Sequence, residues 1–373
     1  MLSATELTRE LLRFNTINPP GNEKPCAEYL GRLLKGAGYA VSFHEFAPDR
    51  TSLIARIGGA ADKAPLCFTG HIDIVPLGTA PWSHDPFAGE TAENKLYGRG
   101  SSDMKSGVAA FVVMALRLAQ RLRAGPGIVL VITAGEETGC EGADYLETVH
   151  GALGSAGAII VGEPTANYPF VGHKGAYWLT AKTRGVTAHG SMPELGVNAI
   201  YRAAHAVTKL ETYAFKAPQH FMMGRPTLNV GTIQGGLNIN SVPDETSVGI
   251  DMRTIPNQDH RAIRNDLQRH LGDDVELTPM IDVPSVWTEP SNPWVQSVFD
   301  VMAPLLGKRP EPRTATYFTD AAALRRAYGS PPTVILGPGE PTMAHQIDEY
   351  CRIDRIEQAV AAYSEIAVKW CGL

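Results

Sequence analysis

No apolar run in the 373-residue chain approaches the roughly 20 residues that a membrane-spanning helix needs, so no membrane partner is expected. Basic residues are not in excess: 33 Lys and Arg against 39 Asp and Glu leave a net charge of -6. A broad cationic surface for nucleic acid is therefore excluded. Cysteine is scarce. Cys26, Cys67, Cys140, Cys351 and Cys371 are odd in number, scattered and free of any CxxC spacing, which argues for reduced thiols in a cytoplasmic compartment. Cys140 follows a Glu pair, but no general-base arrangement lies beside it, and it reads as a small hydrophobe. The strand-to-helix turns lack both the GxGxxG and the GxxxxGK[ST] pattern, so a nucleotide is not expected. Internal repeats, low-complexity tracts and blocks of like charge are also missing. The opening MLSATELTRELLRF carries Glu6 and Glu10 among its apolar positions and predicts an amphipathic helix rather than a signal peptide.

What remains is an ordinary globular composition, 44% hydrophobic and 19% charged, at a length that suggests about two domains. Up to about residue 160, helical and strand-like segments alternate. A first helix is followed by the Pro19-Pro20-Gly21 break, a helix from Lys24 to Gly36, and strands near 40–46, 52–57 and 65–70. After a long loop come a helix over 104–122 and strands at 128–133 and 158–161. This alternation predicts an α/β fold, a mostly parallel sheet with helices on both faces. Beyond Gly172 the order becomes β-α-β-β-α-β, with strands near 177–183, 227–233, 247–253 and 275–279 and helices over 198–213 and 259–271, which is the ferredoxin-like arrangement. After Pro284, Pro290 and Pro293 the helix and strand alternation returns, with a strand near 333–336 and a closing helix over 356–370. The expected organisation is a discontinuous domain of residues 1–173 and 284–373, interrupted by an α+β insert of residues 174–283.

Three short apolar runs end within a residue or two on side chains suited to a divalent metal. LCFTG runs into His71 and Asp73, IVLVITAG into Glu136 and Glu137, and AIIVG into Glu163. The carboxyl ends of parallel strands are where open α/β sheets build their sites. Isolated carboxylates at the edge of a core are unfavourable unless paired, hydrogen-bonded or bound to a cation. His71 and Asp73 share one face if the strand continues, where the carboxylate could accept the far imidazole proton; a capped strand end is the alternative. Asp103, in the glycine-rich loop YGRGSSDMKSG before a helix, also fits N-capping or, weakly, a phosphate cradle. Adjacent Glu136 and Glu137 repel unless one binds a cation and the other stays free for a proton; an acidic first helical turn is the alternative. Glu163 in VGEPT fits a turn before Pro164, and His345 in GPGEPTMAHQIDEY fits a surface loop. Each bland reading stands alone comfortably, but together they require separate coincidences at one sheet edge.

In order and at fitting separations, GHIDIVP, GRGSSDMKSG, GEETG, VGEPT, TAHGSMPELGVNA and AHQIDEY make essentially the whole chain resemble the M20 family of dinuclear metallohydrolases. The resemblance implies a zinc-exopeptidase-like catalytic domain with a ferredoxin-like lid that also pairs two subunits into a homodimer. It implies two divalent ions, zinc first and cobalt or manganese as alternatives that mixed imidazole and carboxylate ligation admits. His71 and Glu163 would hold one ion, Glu137 and His345 the other, and Asp103 both, with Glu136 as general base and Asp73 orienting His71. Three ligand carboxylates and a bridging hydroxide against two divalent ions would leave a neutral cluster. His189 in TAHGS would reach across the dimer to stabilise the oxyanion, helped by Asn240 in NINSVP. Arg253 in GIDMRT would take the substrate carboxylate with its planar fork, aided by the backbone from Gly337 to Gly339.

The implied reaction is hydrolysis of the amide of a small N-acyl amino acid, of the deacetylase kind found in arginine biosynthesis. A desuccinylase and a dipeptidase or carboxypeptidase are the alternatives. A metal-binding protein without activity is the alternative from another class, and the presence of Glu136 argues against it. The stretch Tyr317 to Leu324 is expected to face the substrate.

Overall fold

The first helix shows how local sequence sets an element's start. In the computed structural model, which describes residues 2–59 and 62–373, Ser3 and Glu6 form a reciprocal capping box ahead of Ala4–Leu12. Leu7, Leu11 and Leu12 bury its apolar stripe completely.

Three central strands, Ile128–Thr133, Leu66–His71 and Ala158–Val161, are buried at every residue and pair in parallel. The six-stranded order is Ala40–Ala47, Arg50–Ile57, Ile128–Thr133, Leu66–His71, Ala158–Val161 and Thr333–Ile335. Arg50–Ile57 pairs antiparallel with both neighbours, so the sheet is mostly parallel. Both faces are covered, because side chains alternate along a strand. Phe68 meets Phe111 and Tyr363, with ring centroids 6.2 and 5.5 Å away, while the adjacent Cys67 meets Tyr328 on the opposite side. All five cysteines are free and buried. Among the described residues no helix is long and apolar enough to cross a membrane.

Two helical boundaries differ from the sequence reading. The helix expected from Met104 starts at Ser106, preceded by a tight turn over Ser101–Lys105. Pro293, expected to mark only a boundary, opens the helix Pro293–Leu306, where a missing N–H is harmless. Short helices at Glu141–Thr148 and Ala321–Ala327 and a small hairpin, Thr91–Ala92 with Lys95–Tyr97, have no strong periodic signal.

The chain divides into two compact units, one of Met1–Gly172, Trp287–Ala315 and Thr319–Leu373, the other of His173–Val286 and Thr316–Phe318. The second unit has its own antiparallel sheet, ordered Thr227–Gly235, Glu245–Thr254, Gly175–Arg184 and Val275–Val283. With helices Ala199–Glu211 and His260–Leu271 between strands, this is the ferredoxin-like arrangement. Leu179, Val248, Ile250, Met252, Leu267 and Leu271 lie in a core of its own.

Backbone contact sets the position of the turn that carries Asp103. A Cβ on Gly107 would lie 2.1 Å from the carbonyl oxygen of Gly162, so the start of the long helix rests directly on the segment that ends in Glu163. Gly107→Ala is expected to destabilise the protein by about 1–3 kcal/mol, measured by urea unfolding. Gly36→Ala, at a helix position with open space around it, should be neutral or stabilising by up to about 1 kcal/mol. Equal effects of the two substitutions would refute the close-approach account.

Candidate active site

The parallel pairing brings three strand ends to one edge. His71 is the last residue of its strand, Glu136 and Glu137 follow Thr133 by three and four residues, and Glu163 follows Val161 by two. The helix after the Glu pair starts only at Glu141, so the pair is not an acidic first turn. Asp103 does not cap a helix either. It lies in the Ser101–Lys105 turn and directs its carboxylate at two histidines, His71 Nε2 to Oδ1 at 3.2 Å and His345 Nε2 to Oδ2 at 3.4 Å.

Two triads result. The ligand atoms of His71, Asp103 and Glu163 lie within 4.8 Å of one another, and those of Asp103, Glu137 and His345 do likewise. Within them, His71 Nε2 is 3.7 Å from Glu163 Oε1, and His345 Nε2 is 3.1 Å from Glu137 Oε2. Glu136 belongs to neither triad, with Oε2 4.0 Å from His71 Nε2. Asp103 belongs to both.

Asp73 supports this set from behind, though not as expected. His71 Nδ1 contacts the backbone carbonyl of Asp73 at 3.0 Å, while the carboxylate stands off at 3.5 Å. The carboxylate is engaged elsewhere: Oδ1 accepts from the Glu136 N–H, and Oδ2 accepts from the Glu137 N–H and from Asn18 Nδ2, at 3.1, 3.1 and 2.9 Å. When the imidazole is neutral, a proton on Nδ1 towards the Asp73 carbonyl would leave the Nε2 lone pair on the side of Asp103 and Glu163.

Three residues of this neighbourhood escape sequence reasoning. Asn18 sits in the INPPG break, Glu349 in AHQIDEY, and Asp320 in the stretch expected to face the substrate. In that stretch Tyr317 and Phe318 are half-buried, but Thr319 to Leu324 are packed away, and Asp320 hydrogen-bonds Thr133. Gly339 is buried, its carbonyl accepts from the Ala166 N–H at 2.8 Å, and a Cβ there would lie 2.1 Å from the Ser102 carbonyl oxygen. The N–H of Gly337 is taken by Thr165 Oγ1. Close packing thus accounts for these glycines.

The electrostatics are those of crowded acids. Burial lifts Glu136 and Glu163 well above the usual carboxylate range, with His71 opposing and the neighbouring carboxylates adding to the rise. Burial alone would lower His71, but Glu163, Asp103, Asp73 and Glu136 hold it well above its ordinary value. Burial pushes the Cys140 thiol up, which keeps it protonated and inert. Imidazole and carboxylate donors in two triads suit a pair of divalent ions. Glu137 Oε1 is buried without a hydrogen-bond partner among the described residues, as an atom meant for a cation would be.

In the second unit, exposed His189 pairs with Ser191, Nδ1 to Oγ at 2.7 Å, and its backbone bridges to Ser241. The Gly190 N–H donates to the Asn240 carbonyl at 2.7 Å, so His189 and Asn240 are neighbours. Arg253 forks onto Asp251, Nε to Oδ1 at 2.9 Å, and its guanidinium lies 5.9 Å from the Trp178 ring centroid.

A mostly parallel α/β sheet that gathers two His–carboxylate triads around a shared aspartate marks a metal-dependent hydrolase. Residues 67–369 match peptidase family M20/M25/M40, and the chain belongs to that family. It is 30% identical to an acetylornithine deacetylase of Vibrio cholerae serotype O1 over 365 residues, covering 94% of this chain and 92% of that one. It is 29% identical to a probable succinyl-diaminopimelate desuccinylase of Staphylococcus epidermidis over 396 residues, covering 96% of each. An M20 family metallo-carboxypeptidase from Sulfolobus solfataricus shares the fold over 100% of both chains, with a TM-score of 0.83 at 20% identity.

The hydrogen bonds to Asp103 and then Glu137 raise His345 to about 10 in the metal-free chain. A histidine raised above its unfolded value of about 6.5 contributes stability that is complete below that value and is lost as pH rises towards 10. Metal-free protein is expected to show the His345 imidazole titrating near 10 by NMR, and Asp103→Asn should move that midpoint towards 6.5. A wild-type midpoint near 6.5 would contradict the pairing.

Proposed function

We propose that this M20 metallohydrolase cleaves the amide of a small N-acyl amino acid, releasing a carboxylate and a free amine. His71, Asp103 and Glu163 would hold one divalent ion and Asp103, Glu137 and His345 the other, with zinc favoured by the mixed donor set. When bound, such a pair lowers the pKa of water and polarises a carbonyl. Glu136 takes the proton from the attacking water and returns it to the leaving amine, while Asp73 fixes the Glu136 and Glu137 backbone through its two oxygens. The observation that carries this reading is the separation of roles at adjacent positions: Glu137 lies inside a triad and Glu136 outside both.

The deacetylase reading draws on the 30% identity that spans nearly all of both chains. Desuccinylation is the second reading, on a likeness of almost the same strength. The same water and proton carrier would also cut a peptide bond, so a dipeptidase or carboxypeptidase activity belongs to the same assay. The proposed oxyanion groups are His189 and Asn240. Arg253, whose fork is shared with Asp251, is proposed to hold the substrate carboxylate.

A homodimer through the second unit is part of this proposal. Sheet edges are usually guarded by charge or proline, as Glu276, Pro279 and Asp282 guard the Val275–Val283 edge. The opposite edge, TLNVGTIQG, has neither. Ile233 on it is 52% exposed, and the following Leu237 and Ile239 are 96% and 103% exposed. Pairing with a second copy would cover them, and His189 would then serve the partner's site.

Glu136→Ala is expected to keep about two metals per chain, by elemental analysis, and to lose on the order of 10²–10⁴-fold in hydrolysis across a panel of N-acetyl, N-succinyl and N-formyl amino acids and dipeptides. An active variant removes Glu136 from the role, and preferred cleavage of dipeptides in the wild type replaces the deacylase reading. In a dilution series followed by sedimentation, activity per chain should fall as the dimer dissociates. Full activity in a verified monomer would sink the cross-subunit role of His189.

A further inference from the structure

Outside the two triads, one buried ion pair touches three of the segments that deliver them, those carrying Asp103, His345 and His71. Glu349 is 0% and Arg99 2% exposed. Glu349 Oε2 accepts from Arg99 Nη1 at 2.8 Å and from the Gly100 N–H at 3.0 Å, and Oε1 accepts from the Ser102 and Asp103 N–H groups at 2.8 and 2.9 Å. One carboxylate therefore holds three amides of the turn that carries Asp103. Arg99 also donates from Nη1 to the backbone carbonyl of Gln346 at 3.0 Å and from Nη2 to those of Pro76 at 3.3 Å and His345 at 3.5 Å. Those carbonyls belong to the loop bearing His345 and to the chain leaving His71 and Asp73.

We propose that the Arg99–Glu349 pair is the positioning device of the metal centre, with Glu349 setting Asp103 through its backbone and Arg99 setting the His345 loop. The inference rests on the reading of Asp103 as the ligand common to both ions. Neither side chain reaches a triad atom among the contacts described, so both act through other residues. Buried ion pairs are poor sources of net stability, because desolvation offsets the attraction and apolar replacements often do as well. What the pair does supply is direction. Four directed donors on one carboxylate, the Arg99 Nη1 and three backbone amides, define where the turn sits, and Gly100, at φ 86°, lets the backbone turn its amides inward. His345, with its side chain 52% exposed, has little packing to hold it.

The test is zinc titration of the full-length protein by chelator competition, with the cobalt-substituted absorption spectrum as a report on ligand geometry. Glu349→Gln sets an amide donor against backbone donors. It should weaken both metal equivalents by about 10–100-fold, the range for residues that orient ligands, and alter the cobalt spectrum. Glu349→Asp, which restores a charged acceptor, should recover part of the loss. His345→Ala should weaken one equivalent only. Wild-type affinity for both ions in Glu349→Gln would overturn the proposal, and so would loss confined to the equivalent that His345→Ala affects. Thermal unfolding in chelator shows whether the variant folds; where it does not, Arg99→Lys is titrated instead, and unchanged affinity and spectrum there would equally overturn it. Asp103→Ala separates the two levels: if that variant binds two ions normally, the reading of the metal centre itself falls, whereas its failure beside a normal Glu349→Gln defeats the positioning role alone.

Discussion

Buried negative charge at the carboxyl edge of the central sheet is the constraint around which the molecule is arranged. Asp73, Glu136, Glu163, Asp320 and Glu349 are each at most 5% exposed, and an isolated carboxylate in such a place would neutralise or destabilise the fold. The acids divide by how they are compensated. Asp73 receives two backbone N–H groups and the Asn18 amide, and Glu349 receives three N–H groups and a guanidinium. These two are satisfied by the protein itself. Asp103 and Glu137 meet histidine rings in the described contacts, and Glu163 approaches only His71. That second group carries the unsatisfied negative charge of the site, and a pair of cations is the natural complement to it.

Geometry follows from the same edge. A parallel sheet presents all its strand ends in one direction, so neighbouring strands can each contribute a ligand without any loop having to find its way there. The remaining ligands come from segments that must be brought in and held. Glycine contacts do part of this by letting backbones touch: Gly107 and Gly337 would both place a Cβ about 2 Å from the Gly162 carbonyl oxygen, at 2.1 and 2.0 Å. The segment before Glu163 is thus wedged between the helix that follows Asp103 and the strand end that leads towards His345.

The strand ends are legible in the sequence because a strand buried on both faces is a short unbroken apolar run, and LCFTG, IVLVIT and AIIV are that without ambiguity. His71, Glu137 and Glu163 can therefore be picked out by position. Asp103 and His345 cannot, since a glycine-rich turn and a loop have no periodicity, and only the resemblance of whole motifs singles them out. Asn18 and Glu349 are further from view. Their partners lie 55 and up to 250 residues away, and no spacing rule connects an asparagine before two prolines with an aspartate at a strand end. The short helices Glu141–Thr148 and Ala321–Ala327 are missed for a related reason: they are too short for an apolar stripe to declare itself. The orientation of Asp73 is a matter of competition between acceptors. Sequence spacing places its carboxylate near His71, but two adjacent amides and Asn18 draw that carboxylate away and leave the imidazole to the backbone carbonyl.

The second unit answers a different requirement. It has a sheet, helices and a core of its own. His189 and Asn240 are brought together there by backbone pairing, the His189–Ser241 bridge and the Gly190 to Asn240 hydrogen bond, rather than by side-chain packing. A histidine fixed in this way keeps its imidazole exposed and available while its main chain is fixed. The two units therefore follow opposite designs. One spends many buried interactions to hold charged groups at ångström-scale spacing, and the other leaves the His189 imidazole exposed beside Ser191. Metal chemistry needs the first, because charge separation at short range tolerates little displacement.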